Sequence, residues 1–326
     1  MKAKAYLVTG GAGFLGSALV RRLVRDGHRV RVLDNQSRGS IRRLADVAGD
    51  FEFVEADIRD FKAVQKATKG MDSVCHLASV NGTEIFYTQP HLVLEVGVKG
   101  IVNVLDACLK QDVGELILAS SSEVYQTAEV IPTPETVSLS VPDSFNPRYS
   151  YAAGKIISEI MALNYGRTHF ERIVIVRPHN VYGPDMGWDH VVPQFVVRMK
   201  KLCERSRGPI RFPIQGAGKH TRSFVFIDDF IDGLMLVTKR GKHLGIYNIG
   251  TMEEIAIKEV ARRVGEYFGR KIEIVPGEAA RGGTLRRCPD ITRILALGYQ
   301  PRYTFRDGLP ITAKWYVENA HDAPNR

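Results

Sequence analysis

The run Gly10-Gly11-Ala12-Gly13-Phe14-Leu15-Gly16 constrains this chain more than any other. It follows a short apolar strand, Lys4 to Thr9, and opens a helical pattern, Ser17 to Asp26, which Gly27 ends. Arg29 to Leu33 reads as a second strand with Asp34 at its end. Glycines in such a turn let the backbone approach a pyrophosphate, and the helix N-terminus offers N–H groups and positive potential. Asp34 lies 18 residues beyond Gly16, near the spacing expected of an acceptor for a ribose 2′-hydroxyl. The glycine pattern alone is a weak signal. Strand, turn, helix, strand and acid in that order point to dinucleotide binding. A carboxylate at position 34 repels a 2′-phosphate, so NAD is expected over NADP, with Arg38 the nearby residue that argues the other way.

The alternation continues. Phe51 to Ala56, Ser73 to Leu77, Glu115 to Ala119 and Arg172 to Val176 read as strands, with helical segments between them. Val93 to Lys110 reads as one long helix and Tyr149 to Tyr165 as another. Repeated βα units argue for a parallel sheet covered on both faces. Beyond Arg177 the pattern is punctuated by Pro and Gly. A helix is expected near Pro193 to Arg205, a strand from Arg222 to Ile227, and a helix Phe230 to Lys239 capped by Asp228 and Asp229. Further helices are expected over Ile255 to Tyr267, Ile291 to Leu297 and Leu309 to Glu318, and strands over Tyr247 to Ile249 and Ile272 to Val275. The fold class is α/β: a Rossmann-type doubly wound parallel sheet with a smaller, interleaved C-terminal α/β substrate domain. Residues 1–177 and 222–250 form the first unit, and 178–221 and 251–326 the second.

Composition narrows the class. No apolar run reaches the length of a membrane span, and no signal-peptide pattern precedes the first strand. Cys75, Cys108, Cys203 and Cys288 are scattered without a CxxC pair, as expected of reduced thiols in a cytoplasmic protein. No His, Cys, Asp or Glu cluster has metal-ligand spacing, so no metal is expected. The net charge of +9 invites a nucleic-acid reading, yet no nucleic-acid-binding signature accompanies it. A solvated basic surface, or a field that attracts a doubly charged diphosphate, accounts for it.

A second block carries chemistry. Ser120-Ser121-Ser122-Glu123-Val124-Tyr125 begins at a strand's carboxyl end, where ligands bind in open α/β sheets. It is followed by Tyr151-Ala152-Ala153-Gly154-Lys155, which places Tyr151 and Lys155 on one helix face, one turn apart. An ammonium beside a phenol favours the phenolate, so Tyr151 is expected to act as a base below its usual pKa. The serines could also simply satisfy loop amides. Glu123 is either an acceptor for nearby N–H groups or a group that faces the substrate. His179 and His190 flank the expected pocket, and His76 reads as a packed histidine. A second Tyr-x-x-x-Lys, Tyr267 to Lys271, spans Gly269 at a helix end and is assigned to structure.

With these blocks in order, the chain resembles the extended short-chain dehydrogenases/reductases of the nucleotide-sugar epimerase/dehydratase group. The resemblance rests on Thr9 to Gly16, Asp57-Ile58, His76-Leu77-Ala78, Ser120 to Tyr125, Tyr151-x-x-x-Lys155, Arg177-x-x-Asn180-Val181-Tyr182-Gly183-Pro184 and Arg222-x-Phe224. It implies that Gly10, Gly13 and Gly16 cradle the NAD pyrophosphate and that Phe14 and Leu15 offer N–H groups. Asp34 would hold the adenosine ribose, Asp57 and Ile58 the adenine, and Ala78 and Ser79 the nicotinamide side. Asn35, Ser37, Arg38, Leu77 and Pro178 complete the cofactor set. Lys155 would bind the nicotinamide ribose. Tyr151 would take the proton of a sugar 4-hydroxyl that Ser121, or else Ser122, hydrogen-bonds. Asn180, Arg222 and Arg281 would bind the substrate diphosphate, with Asn81 and Val191 in the same pocket. The partner implied is a nucleotide-diphosphate sugar, with no nucleic acid and no membrane. A homodimer is implied through Val93 to Lys110 and Tyr149 to Tyr165.

The chain departs from the group at Gln126, where glycine is commoner, and at Gly97, where asparagine is frequent. Asn81 stands where some epimerases carry lysine, and Arg281-Gly282-Gly283-Thr284 replaces Arg-Pro-Gly-Asp. After a 4-keto sugar forms, three outcomes are open. A 4-epimerase returns hydride to the other face, a 4,6-dehydratase loses water with an Asp-Glu pair in the hydroxyl run, and a uronate decarboxylase often has Ser-Glu there. The run here reads Ser122-Glu123. The ordering expected is 4-epimerase, then dehydratase, then decarboxylase. Outside catalysis, an NAD-bound scaffold and a nucleic-acid-binding relative are the alternatives. Scaffold members commonly lack the tyrosine or lysine that this chain carries.

Overall fold

A computed structural model describes residues 3–278 and 284–324 of the chain. Its first half runs β1 (Ala5–Thr9), α1 (Phe14–Arg25), β2 (Arg29–Asp34), β3 (Phe51–Glu55), α2 (Phe61–Thr68), β4 (Ser73–His76), α3 (Thr83–Thr88), α4 (Pro90–Leu94), a π-helical segment (Glu95–Lys99), α5 (Gly100–Lys110), β5 (Glu115–Ala119), α6 (Ser150–His169) and β6 (Arg172–Pro178). The second half runs β7 (Val181–Tyr182), α7 (Val191–Arg205), β8 (Ile210–Ile214), β9 (Thr221–Ser223), β10 (Val225–Phe226), α8 (Ile227–Arg240), β11 (Gly245–Ile249), β12 (Glu254–Ala256), α9 (Ile257–Tyr267), β13 (Ile272–Pro276), β14 (Arg286–Arg287), α10 (Thr292–Leu295) and α11 (Phe305–Glu318).

Seven strands form one sheet in the order β11-β6-β5-β4-β1-β2-β3, every pair parallel. The central strands are buried except at the ends of β5 and β6 because helices cover both faces, which is why their interiors read as runs rich in Val, Leu and Ile. The strand order reverses at β1, which has β2 on one side and β4 on the other. The crevice beyond their carboxyl ends is therefore the expected ligand site of an open α/β sheet. The remaining strands form three small sheets: β10 with β7, β9 between β12 and β14, and β13 with β8.

Several local expectations change. The helix expected to be unbroken from Val93 to Lys110 starts at Pro90 and passes through the π-helical segment at Glu95–Lys99. There Gly97 comes up against Gly154 of α6, so close that a Cβ on Gly97 would lie 3.7 Å from the Gly154 Cα. The strand expected over Arg222 to Ile227 divides into β9 and β10, which pair with different partners. Ile255 belongs to β12, and the helix after it begins at Ile257. Asp228 and Asp229 lie in the first turn of α8 and do not cap it. Asp229 instead accepts the N–H groups of Arg302 and Tyr303, both at 2.9 Å. This anchors the chain leading into α11. All four cysteines are free, and among the described residues no helix is long and apolar enough to cross a membrane.

Candidate active site

A cavity of about 570 Å³ opens at the carboxyl ends of β1 and β4, within the range of small-molecule sites. Its floor is the turn between β1 and α1. Gly10 has φ +71°, and a Cβ there would meet the Ala78 backbone at 2.7 Å. A Cβ on Gly16 would collide with the Gly10 carbonyl. The two glycines are thus required by backbone-to-backbone packing. Helix α1 begins at Phe14 with no side-chain cap, so its first N–H groups stay available for an anion.

The far corner is built in advance. Asp34 accepts the N–H of Ala12 at 3.0 Å and of Gln36 at 2.7 Å. A carboxylate has acceptor sites beyond those two, and Asp34 lines the cavity. Asn35 donates to Asp57 at 2.9 Å, and Ser37 donates to Asn35 at 2.7 Å. Arg59 pairs with Asp57 at 2.8 Å and holds its carboxyl down to about 2. Ile58, Arg38, Leu77, Ala78, Ser79, Asn81 and Pro178 all face the same space. A glycine floor, an uncapped helix end and an anchored carboxylate fit a dinucleotide. Gly10, Gly13 and Gly16 would lie under its pyrophosphate and Asp34 at its ribose.

Tyr151 and Lys155 stand on α6, and both line the cavity. Burial pushes the Tyr151 phenol up to about 12, while hydrogen bonding with Ser121 and Ser79 works against that rise. Lys155 is itself pushed down to about 8 by burial, opposed by Glu159 one turn on. Its ammonium donates to the Ala119 carbonyl at 2.7 Å and lies 5.8 Å from the Tyr151 ring centre. The expectation that Lys155 holds the phenol below its usual range is therefore corrected for the protein alone. Burial acts on both groups, and the lysine points first to a backbone carbonyl. Phe86 of α3 stacks on Tyr151, with ring centres 5.3 Å apart.

The hydroxyl run curls into a single turn, Ser122–Tyr125, whose N-cap is Ser121 accepting the Glu123 N–H at 3.1 Å. Ser121, Ser122 and Glu123 line the cavity. Glu123 is bound by Arg287 of β14 at 2.5 Å. That pairing, with Arg148 and Arg222 adding positive charge, holds the Glu123 carboxyl below its ordinary range despite burial. Asn180 and Val191 also face the cavity, and Asn180 donates to the Ser223 carbonyl at 3.0 Å. Arg222 is not on this wall. It sits beside Arg287 across the β9–β14 pair and donates to its own neighbour's carbonyl, that of Thr221, at 2.7 Å. Arg281 lies outside the described residues. His190 lines the cavity, but His179 does not. His179 is fully buried against Tyr125 and bonded to Asn248 at 3.1 Å, so it is a packed histidine.

Arg43, Phe86, Arg148 and Arg287 are among the cavity residues that escaped the sequence reading. Arg148 stood three residues before Tyr151 and could have been found by asking what precedes the base. Arg287 carried no local signal, because only the pairing of β14 with β9 brings it to Glu123. Arg43 reaches across to Asp185 at 2.8 Å and closes the outer wall. No metal-ligating cluster occurs among the described residues.

A family model described as "NAD dependent epimerase/dehydratase family" matches residues 6–250. Among curated relatives, the dTDP-glucose 4,6-dehydratase of Streptomyces antibioticus is 32% identical over 324 residues, spanning 96% of this chain and 92% of that protein. The UDP-glucuronic acid decarboxylase 5 of Arabidopsis thaliana is 33% identical over 312 residues, spanning 94% and 87%. Among solved structures, the UDP-glucose 4-epimerase of Thermotoga maritima with UDP-glucose superposes with a TM-score of 0.86 at 26% identity, covering 97% of this chain and 99% of that one.

Proposed function

The chain belongs to the NAD dependent epimerase/dehydratase family, an enzyme family, and NAD is its cofactor; from that premise we propose that it oxidises a nucleotide-diphosphate-linked uronic acid at C4 and releases the C6 carboxylate as carbon dioxide. The observation that carries this reading is the 2.5 Å pair between Glu123 and Arg287. NAD, when bound, supplies hydride acceptance at C4 and its return. Tyr151 would act as phenolate to take the 4-hydroxyl proton, with Ser121 hydrogen-bonded to its oxygen. Burial opposes that charge, and the Lys155 ammonium, 5.8 Å from the ring centre, together with the positive nicotinamide of NAD when bound, would offset it. The resulting 4-keto uronate is a β-keto acid. Its C5–C6 bond breaks, carbon dioxide leaves, and the electron pair passes through C5 to the C4 oxygen, where Tyr151 stands. A proton from solvent then adds at C5 in place of the lost carboxylate, and as hydride returns to C4 the Tyr151 hydroxyl gives its proton back to the C4 oxygen.

This route needs no acid for the leaving group. Loss of water does need one, and a Glu123 held as carboxylate by Arg287 is a poor proton donor. Arg148 lines the same wall, so its guanidinium is available to a second carboxylate, that of the substrate. The second reading is 4-epimerisation, which shares the oxidation step. It is favoured by the likeness to the UDP-glucose 4-epimerase of Thermotoga maritima, at a TM-score of 0.86 over 97% of this chain.

Asn180 and Val191, which line the cavity, serve the substrate diphosphate in either reading, while Arg222, off this wall, adds positive charge near Glu123. Exposed Ile157 and Ile160 on α6 support a homodimer through that helix, which gel filtration tests.

The deciding experiment supplies NAD with a panel of nucleotide-linked uronic acids and neutral sugars and follows products by mass spectrometry. Loss of carbon dioxide supports the proposal. An unchanged mass with a new stereoisomer supports the second reading. Loss of water sinks both.

A further inference from the structure

Gln126 occupies a backbone conformation, φ 48° and ψ −117°, that side-chain-bearing residues rarely adopt. Glycine adopts it at no steric cost. The residue closes the Ser122–Tyr125 turn and is buried. Its side chain and its carbonyl are both engaged. The Gln126 Nε2 donates to the Glu123 carbonyl at 2.7 Å. The Thr284 hydroxyl donates to the Gln126 carbonyl at 3.3 Å. The Thr284 oxygen accepts from Arg287 Nη2 at 3.1 Å, and Arg287 Nη1 donates to the Glu123 carboxylate at 2.5 Å. The Gln126 backbone N–H donates to the same Glu123 carbonyl at 3.2 Å, so the side-chain amide is the second bond of this link. The contacts run as a ring through Glu123, Gln126, Thr284 and Arg287 and back to Glu123. The ring joins the turn at the end of β5 to β14, which lies far away in the chain. Strain that persists beside a cavity is held there by its surroundings, and here the surroundings are this ring.

We propose that Gln126 is a positioning residue whose amide reinforces this ring, doubling the bond that holds the Glu123 turn, and so fixes the Glu123–Arg287 pair in register at the sugar end of the site. The inference rests on the nucleotide-sugar reading above but not on which product forms. The charged and titratable groups that face Glu123 are Arg287 from β14, Arg222 from β9, and Arg148 and Tyr151 from the approach to α6 and its first turn. With the ring intact, Arg287 is held on the carboxylate. With the amide gone, the turn carrying Glu123 is held by its backbone bond alone and loosens against Arg287, Glu123 binds a proton more readily, and the acid limb of activity moves to higher pH.

The test compares Gln126→Gly, which removes the strain and the amide together, with Gln126→Met, which keeps the strain and removes only the amide. Both variants are expected to lose up to about tenfold in kcat, the upper worth of one neutral hydrogen bond, with an acid limb shifted upward. Gln126→Gly is expected to be the more heat-stable of the two. Hydrogen exchange at the Glu123 to Gln126 amides should quicken in Gln126→Gly, a readout that does not depend on turnover. Wild-type kcat, an unmoved acid limb and unchanged exchange in Gln126→Gly overturn the proposal. If the wild type yields an epimer and no carbon dioxide, the decarboxylation reading falls, and the same comparison on the epimer still judges Gln126.

Discussion

Phe86 lies flat against Tyr151, with ring centres 5.3 Å apart and planes inclined by 18°. The two rings come from different helices, and both line the cavity. Phe86 belongs to the short helix after β4, and Tyr151 to the helix after β5. The stack does two things to the phenol. It fixes the ring's plane, and it keeps water from one face, adding to the burial that raises the pKa to about 12.

Replacing Phe86 by alanine removes the stack and leaves a hole. A loss of about 3 kcal/mol in stability is expected from a buried phenylalanine truncation. Phe86→Leu refills most of the volume and should cost about 1 kcal/mol, near the worth of an aromatic pair. If the ring positions Tyr151, Phe86→Leu loses far more kcat than its stability loss explains, at an unchanged KM. Urea denaturation beside steady-state kinetics checks this, and wild-type kcat in Phe86→Leu rules it out.

The glycine floor is tested by Gly16→Ala. The added methyl meets the Gly10 carbonyl, which is backbone and cannot swing aside. The turn must open, and the N–H groups at the start of α1 move with it. A loss of at least ~2 kcal/mol in NADH binding is expected, about thirtyfold in Kd. Titration of NADH fluorescence measures it. Gly27→Ala serves as the control, because a Cβ there meets nothing within 4 Å even though its φ of +80° carries a local cost.

What was legible in the sequence divides along physical lines. The β1–α1–β2 unit was readable because glycine spacing, strand burial and a terminal acid are local signals. Tyr151 and Lys155 were readable because an i, i+4 pair on a helix meets regardless of the rest of the fold. Arg287 was not, since its place beside Glu123 depends on β14 pairing with β9 and on nothing nearby in the chain. His179 was misplaced because a histidine after a strand looks the same whether it faces a pocket or Asn248. The direction of the Tyr151 shift was misread because spacing gives proximity to Lys155 but not burial. The carbonyl of Ala119 that takes the ammonium was also invisible from spacing.

Beneath the site, Glu159 and Arg177 form a buried bidentate pair at 2.6 and 2.9 Å. The Ser120 hydroxyl also donates to Glu159, and Arg177 reaches Tyr125 at 2.8 Å. Removing one member leaves the other as an uncompensated buried charge. Glu159→Gln is expected to cost about 3–5 kcal/mol. The double replacement Glu159→Leu with Arg177→Met removes both charges and should recover most of that loss. Chemical denaturation of the single and double variants checks it. Equal losses in all variants would show that packing, and not charge, dominates there.

Lys155 gives the molecule a pH signature. Its ammonium is pushed down to about 8, against about 10.4 in an unfolded chain. Between those values the unfolded chain binds the extra proton, so stability rises with pH across that window. The contribution is complete above about pH 10.4 and is lost as the pH falls through about 8. At about 1.4 kcal/mol per unit, the gain is at most about 3 kcal/mol. Lys155→Met cannot titrate, so its stability curve should lack this rise while keeping those of the other groups. The difference between wild type and variant isolates the lysine from Tyr151, whose own raised pKa lowers stability only above about pH 10. Urea denaturation at pH 7, 8, 9 and 10 without NAD supplies both curves. Parallel curves would mean that Lys155 keeps an ordinary ammonium despite its burial, and that its charge is available to the phenol throughout this range.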